Sequence, residues 1–207
     1  MILSSLTNLY SDVLGELSMI ADAFPFNLKN DVVIAMNAIP MKTYSDISVA
    51  VSENRICYRF GDMDIQIPYR IYYIDISDDA YRTLNIQQKL IVHCIYTRSC
   101  RGFIREKHLK ALLAFDYPNW ATPFIVKLCD EYVIQILETI YGHFKTKDNQ
   151  ELKDFCSDNS LSFHKSYDRM ISYWNCYYRW KYKYLSDYVG FKLFKECLGY
   201  SKIITTS

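Results

Sequence analysis

The sequence predicts an α+β protein that is mostly α, with N-terminal helices and a small antiparallel β-meander packed on a C-terminal multi-helix bundle. Three observations predict it. Apolar residues recur at the three-and-four spacing of a helix face over most of the chain. They alternate with polar residues over one stretch, from Ile47 to Ile67. Gly and Pro are scarce, six and five in 207 residues, so long structureless linkers are not expected. The expected organisation is residues 1–80 for the N-terminal helices and meander, and 81–202 for the bundle, folding as one cooperative unit.

The elements follow in order. Leu6, Leu9, Tyr10, Val13, Leu14, Leu17 and Ile20 form one face of a helix over 3–23, which Pro25 ends. Asn30 or Asp31 is placed to cap a short helix to Ala38, closed by Pro40. Ile47, Val49 and Val51, then Ile56, Tyr58 and Phe60, then Met63, Ile65 and Ile67 give the strands of the meander. Arg70 to Ile74 is a possible fourth strand, and Pro68 marks an edge or an end. Leu84, Ile86, Leu90, Ile91, Cys94 and Ile95 mark a helix that Gly102 breaks, and Glu106–Phe115 forms the next. Thr122 before Pro123 reads as a capped helix start. From there Phe124, Leu128, Tyr132, Ile136, Leu137 and Ile140 run as one stripe to Phe144. A short helix, Asp148–Phe155, leads to a last helical region opened by Ser166 or Asp168. Its core face is Met170, Tyr173, Trp174, Tyr177, Tyr184 and Tyr188, and Gly190 splits it.

Composition narrows the class. The net charge is +1, which argues against a strong overall nucleic-acid footprint. The distribution is uneven: residues 1–80 carry five basic and eleven acidic side chains, and residues 164–207 carry eight and three. The seven cysteines are odd in number, scattered, and free of any C-x-x-C pair, so reduced thiols and a cytoplasmic location are expected. No secretory leader and no membrane span are expected from the sequence.

The search for chemistry returns little. Six glycines, none suitably spaced, leave no phosphate-binding loop. His93, Cys94, Cys100 and His108 do not complete a tetrahedral set, so no metal is expected, and no cofactor. The acidic pairs Asp62/Asp64, Asp78/Asp79 and Asp130/Glu131 read as solvated charge. Two basic regions stand out as partner-binding candidates. The first holds Arg98, Arg101, Arg105, Lys107 and Lys110, and the second holds Arg169, Arg179, Lys181 and Lys183 among Trp174, Tyr177, Tyr178, Trp180 and Tyr182, of which Arg179, Trp180, Lys181 and Lys183 are the partner-binding candidates. All of the second but Arg169 lies in Ser172–Tyr184, a stretch crowded with large aromatics and bases and without an acid. Such side chains make protein hot spots and also stack bases.

Three resemblances accompany these readings. The blocks Leu84-x-x-Gln87, Ile95-Tyr-Thr-Arg98, Gly102-Phe-Ile-Arg105, Pro123-Phe-Ile-Val126, Glu131-Tyr-Val133 and Ser172-Tyr-Trp-x-Cys-Tyr-Tyr-Arg179 resemble those of uncharacterised bacterial helical proteins. That resemblance covers residues 84–180, implies a bacterial cytosolic origin, and carries no activity. Leu84–Leu113 resembles a HEAT-like helical hairpin. Arg101 and His108, with six residues between them, resemble the catalytic spacing of the HEPN ribonucleases, which would make His108 an acid–base group and Arg101 a stabiliser of phosphate charge. Gly102 departs from that pattern, where a polar residue usually follows the arginine.

The functional expectation is a non-enzymatic bacterial protein-interaction module, of the immunity, antitoxin or adaptor kind, with a protein partner. The alternative is an RNA-binding protein or HEPN-like ribonuclease that uses the Arg98–Lys110 cluster.

Overall fold

Helices set the architecture, and the computed structural model describes residues 14–40, 42–44 and 49–201. The chain divides into two units, Met1–Trp120 and Ala121–Ser207. The division falls later than the 80/81 boundary read from the sequence, so the helices between 78 and 114 belong with the N-terminal unit. The fold class is as expected: α+β, mostly α.

In the first unit, helix α1 covers 14–21, with Ile20 buried and Leu14 exposed. Leu6, Leu9, Tyr10 and Val13 lie outside the described residues. A 3-10 turn, Phe26–Leu28, runs directly into α2, Lys29–Ala38, whose buried positions Val32, Ala35 and Met36 keep helical spacing. Neither Asn30 nor Asp31 is the cap, because the 3-10 turn already supplies the entry and Leu28 takes that place. Asp31 instead accepts hydrogen bonds from Gln87 and Gln88 at 3.0 and 2.8 Å.

Strands β1 (Arg55–Phe60) and β2 (Met63–Pro68) pair antiparallel, with Tyr58 opposite Ile65 and Ile56 opposite Ile67. Gly61 turns the hairpin at φ +58°, the left-handed conformation that a two-residue loop needs. Tyr58, Ile65 and Ile67 are buried, as the alternation required, whereas Ile56 and Phe60 are half-buried and Met63, beside the turn, is exposed. The expected wider meander is smaller than the sequence suggested. Val51 is buried but bridges Ile71, and Val49, expected on its face, is exposed. Ile47 lies outside the described residues. The run after Pro68 makes single bridges, Thr43–Tyr73, Val51–Ile71 and Ile71–Ser99, and forms no continuous fourth strand.

Helix α3 (Asp78–Arg82) starts at Ser77, whose side chain accepts from the Ala80 N–H. Helix α4 (Ile86–Tyr96) starts with a reciprocal capping box between Asn85 and Gln88. Helix α5 (Gly102–Ala114) begins at Gly102 itself, earlier than expected.

In the second unit α6 is Thr122–Leu128 and α7 is Ile134–Phe144. The Thr122 hydroxyl does not cap α6; a 3-10 turn, Asn119–Ala121, leads into it. The single stripe read from Phe124 to Phe144 is broken at 129–133. There Asp130 is buried and accepts from Lys127 Nζ at 2.5 Å and from Arg169 Nη1. Glu131 is buried too, so this pair is not solvated charge. Helices α8 (Gln150–Asp158) and α9 (Ser160–Tyr173) follow, and α9 passes into a π-helical turn, Trp174–Tyr178. After an irregular stretch, α10 (Val189–Lys192) continues into a second π turn, Leu193–Cys197. The helix therefore breaks before Gly190. That glycine gives room to Tyr188, whose ring sits where a Cβ would lie, 2.6 Å away. All seven cysteines are free, and Cys94, Cys129, Cys156 and Cys197 are buried. Among the described residues no helix is long and apolar enough to cross a membrane.

Candidate functional sites

The two basic regions of the sequence meet opposite fates. In the first unit, Arg98 and Arg105 are buried, at 0% and 1% exposure, and neither is available to a partner. Arg98 follows α4 and donates from Nε to the Pro68 carbonyl (3.2 Å) and from Nη2 to the Tyr69 carbonyl (2.7 Å). Arg105, on α5, donates from Nη1 to the carbonyls of Ser99 (2.8 Å) and Cys100 (3.3 Å). Pro68 ends β2, and Tyr69, Ser99 and Cys100 lie outside the helices and the hairpin, so their carbonyls take donors from side chains. A guanidinium, with five donors in a rigid fork, satisfies several at once. The Ile71 N–H to Arg98 carbonyl and Cys100 N–H to Ile71 carbonyl bonds tie the same segments together.

The remaining members of that cluster are exposed but engaged. Lys107 donates to Asp75 Oδ2 at 2.6 Å, and Lys110 donates to Glu106 at 2.6 Å. Arg101 stands at the start of α5 with its guanidinium over the Tyr44 ring, 4.6 Å from the centroid.

His108 points inward and joins a linear hydrogen-bonded chain that no sequence motif announced. Its Nε2 lies 2.8 Å from Asp75 Oδ1, and its Nδ1 lies 2.9 Å from Nδ1 of His93. His93 Nε2 lies 2.8 Å from the Tyr81 hydroxyl. Tyr96 stacks on His108 at 4.4 Å and donates to the Ile74 carbonyl, and Phe115 flanks His93.

The protonation pattern follows from the partners. Burial pushes the Asp75 carboxyl up. The hydrogen bonds from His108 and Lys107 outweigh this and hold it at about 2, so it is ionised and accepts only. Burial, then the His108 and Lys107 charges, lowers His93 to about 3. Burial lowers His108 as well, against the pull of Asp75. Both rings are therefore neutral near pH 7, and each has one N–H. His108 must place its proton on Nε2, facing the carboxylate. Its Nδ1 then accepts from His93 Nδ1–H, and His93 Nε2 accepts from Tyr81 O–H. Every donor points toward Asp75. The chain orients three protons without an unmatched group, which favours a single packing of α3, α4 and α5.

This geometry does not suit the ribonuclease reading. His108 is 2% exposed with both nitrogens bonded inside, while Arg101 faces solvent on Tyr44. A residue acting on an RNA phosphate must reach it. Among the described residues no group of His, Cys, Asp or Glu is arranged to hold a metal ion.

In the second unit the other region faces outward. Arg179, Trp180, Lys181, Lys183 and Tyr184 are exposed, Trp180 at 85%. The Trp180 indole N–H donates to the Tyr177 carbonyl at 2.9 Å, which sets the ring's direction. Arg179 donates to Asn175 and stands over Trp174, whose own N–H reaches the Tyr182 carbonyl. Lys181 and Lys183 lie over the rings of Tyr182 and Tyr184. The expected core face is part right. Met170 and Tyr188 are fully buried and Tyr173 and Trp174 half-buried, but Tyr177 (55%) and Tyr184 (62%) are exposed. The π turn adds a residue per turn and the chain then leaves the helix, so a 3.6-residue period no longer predicts the facing side.

The chain matches no known family model, no curated protein and no solved structure.

Proposed function

We propose that the protein is a non-catalytic interaction module whose docking surface is the aromatic and cationic stretch from Tyr177 to Tyr184, and that its partner is a protein with an acidic face. The observation that carries this reading is Trp180, 85% exposed yet held in one direction by its bond to the Tyr177 carbonyl. An indole fixed before contact loses little freedom on docking, and Trp, Tyr and Arg dominate interface energetics. Arg179, Lys181 and Lys183 surround it, and no acid occurs between Ser172 and Ser186, so the complementary surface is acidic. An immunity, antitoxin or adaptor role needs such a surface and no reacting group. The Arg98–Lys110 cluster offers less, since Arg98 and Arg105 are internal, Lys107 and Lys110 are paired with carboxylates, and Arg101 lies over the Tyr44 ring.

The test is a partner identified by capture, purified, and titrated against three forms of the protein. Wild type should bind. Trp180→Ala, and Arg179→Glu with Lys181→Glu and Lys183→Glu, should each weaken binding at least tenfold with the melting temperature unchanged. Equal affinity for all three forms would remove the docking surface. Binding of single-stranded RNA with a steep salt dependence, and of no protein, would replace the partner class.

A further inference from the structure

The second unit also contains a pocket of about 360 Å³, between α8, the start of α9 and the turn after Cys197. It uses none of the residues assigned to docking. Its floor is apolar: Cys156, Phe163 and Leu198 are each under 9% exposed. Burial pushes the Cys156 thiol up to about 12, so this sulfur serves as floor and not as a nucleophile.

Its rim is rich in donors. Lys153 lines it, and among the described residues its ammonium has no ion-pair partner. The Lys153 stem is held in place. Gly199, at φ +69°, leaves space for it, and a Cβ there would meet Lys153 Cγ at 3.2 Å. His164 lies on the same wall, its Nδ1 3.2 Å from the Tyr200 hydroxyl, and its Nε2 has no partner among the described residues. Tyr200 is clamped against Tyr167, with ring centroids 3.7 Å apart, so the tyrosine–histidine pair is set by packing. The hydroxyls of Ser157, Ser160 and Ser201 complete the rim. Its one carboxylate, Asp154, already accepts from Gln150 at 2.7 Å.

An unpaired ammonium, an imidazole nitrogen and three hydroxyls around one cavity suit a tetrahedral oxyanion. The volume exceeds a bare anion and falls in the range of small-molecule sites. We infer that this pocket binds a small phosphate monoester, its phosphate at Lys153, His164 and the serines, and its organic group on the floor of Phe163, Leu198 and Cys156.

The test titrates the full chain with adenosine 5′-monophosphate, ribose 5-phosphate and inorganic phosphate at constant ionic strength, followed by amide NMR and calorimetry. At least one ester should bind, shift the Ser157, Ser160, His164 and Gly199 amides, and do so at least tenfold more tightly than inorganic phosphate. Lys153→Met keeps the stem over Gly199 and removes the charge, and should lower that affinity at least tenfold. Lys192→Met, outside the pocket, should leave it unchanged. No shifts with either ester, or equal binding by Lys153→Met, would overturn the site. Inorganic phosphate binding as tightly as the esters would overturn the role of the floor. None of these readouts depends on Trp180, so the site and the docking surface fail separately.

Discussion

Arg98 and Arg179 are the same side chain, each read from the sequence as part of a basic partner-binding cluster, and they end in opposite places. Arg98 is fully buried and bonded to backbone carbonyls of the 68–69 segment. Arg179 lies on the surface and bonds the neighbouring Asn175 side chain. The difference comes from the backbone around them. In the first unit, irregular chain between Pro68 and Ile71 and between Thr97 and Arg101 leaves carbonyls that need donors away from water. In the second unit, the cations from Arg179 to Lys183 follow the π turn Trp174–Tyr178 and remain outside. A basic cluster is a binding surface only where the adjoining backbone has no prior claim on it.

The sharpest test of that contrast is to remove each arginine. Arg98→Met should destabilise the first unit by about 3–5 kcal/mol, since it removes the donor to the carbonyls of Pro68, Thr97 and Tyr69. Arg98→Lys should recover only part, because one ammonium cannot reproduce the fork. Arg179→Met should change stability by less than about 0.5 kcal/mol. Hydrogen exchange of the α4 and α5 amides, read beside those of α9, measures both. Equal, small effects at the two sites would break the comparison.

A second difference lies in acid. His93 titrates near 3 in the fold and 6.5 otherwise, so the unfolded chain takes up that proton first as pH falls. The first unit therefore loses stability from about pH 6.5 downward, by about 2 kcal/mol from this residue between pH 7 and pH 5. His108, also lowered, acts in the same direction. Asp75, at about 2 against 3.8, adds its loss below pH 3.8. The α4 and α5 amides should lose protection over this range. In His93→Gln the dependence on pH should flatten, whatever the variant's absolute stability. An unchanged slope would mean that His93 is not held neutral.

The helices were legible because their apolar period is local: α4 falls close to where the period puts it, whereas α5 starts four residues early and the stripe from Phe124 to Phe144 splits into α6 and α7. The hairpin from Arg55 to Pro68 was legible for the same reason, through alternation and Gly61. What could not be read depends on residues far apart in sequence. The chain from Asp75 to Tyr81 through His108 and His93 needs three helices to assemble first. No spacing rule places Asp75 against a histidine 33 positions away. The inward turn of Arg98 depends on carbonyls orphaned by another loop. The exposure of Tyr177 and Tyr184 depends on a π turn that no composition reveals. Of the candidate surface, Arg179, Trp180 and Lys183 were readable, since each falls off the apolar stripe read from Met170 to Tyr188; Lys181 falls on that stripe and is exposed because the chain has left the helix there. The Lys153 pocket was not, since it is closed by Gly199 and Tyr200 returning from the far end of the unit.

The smallest expected effect is also the most decisive for the docking surface. Trp174 and Trp180 each donate an indole N–H to a carbonyl at 2.9 Å, so their hydrogen bonds are alike. Their burial is not. Trp174 is partly covered, with Arg179 over its ring, whereas Trp180 is 85% exposed. Hydrophobic stabilisation scales with area removed from water, so Trp180 has little to lose from the folded state. Trp174→Ala should cost about 1–3 kcal/mol, and Trp180→Ala less than about 0.5 kcal/mol. Denaturant midpoints of the two variants test this directly. Equal losses would make Trp180 a strut for the π turn, explain its fixed direction without a partner, and withdraw the observation on which the interaction reading rests. A silent Trp180→Ala leaves a large, oriented aromatic that the fold does not need, which is the condition an interface residue must meet.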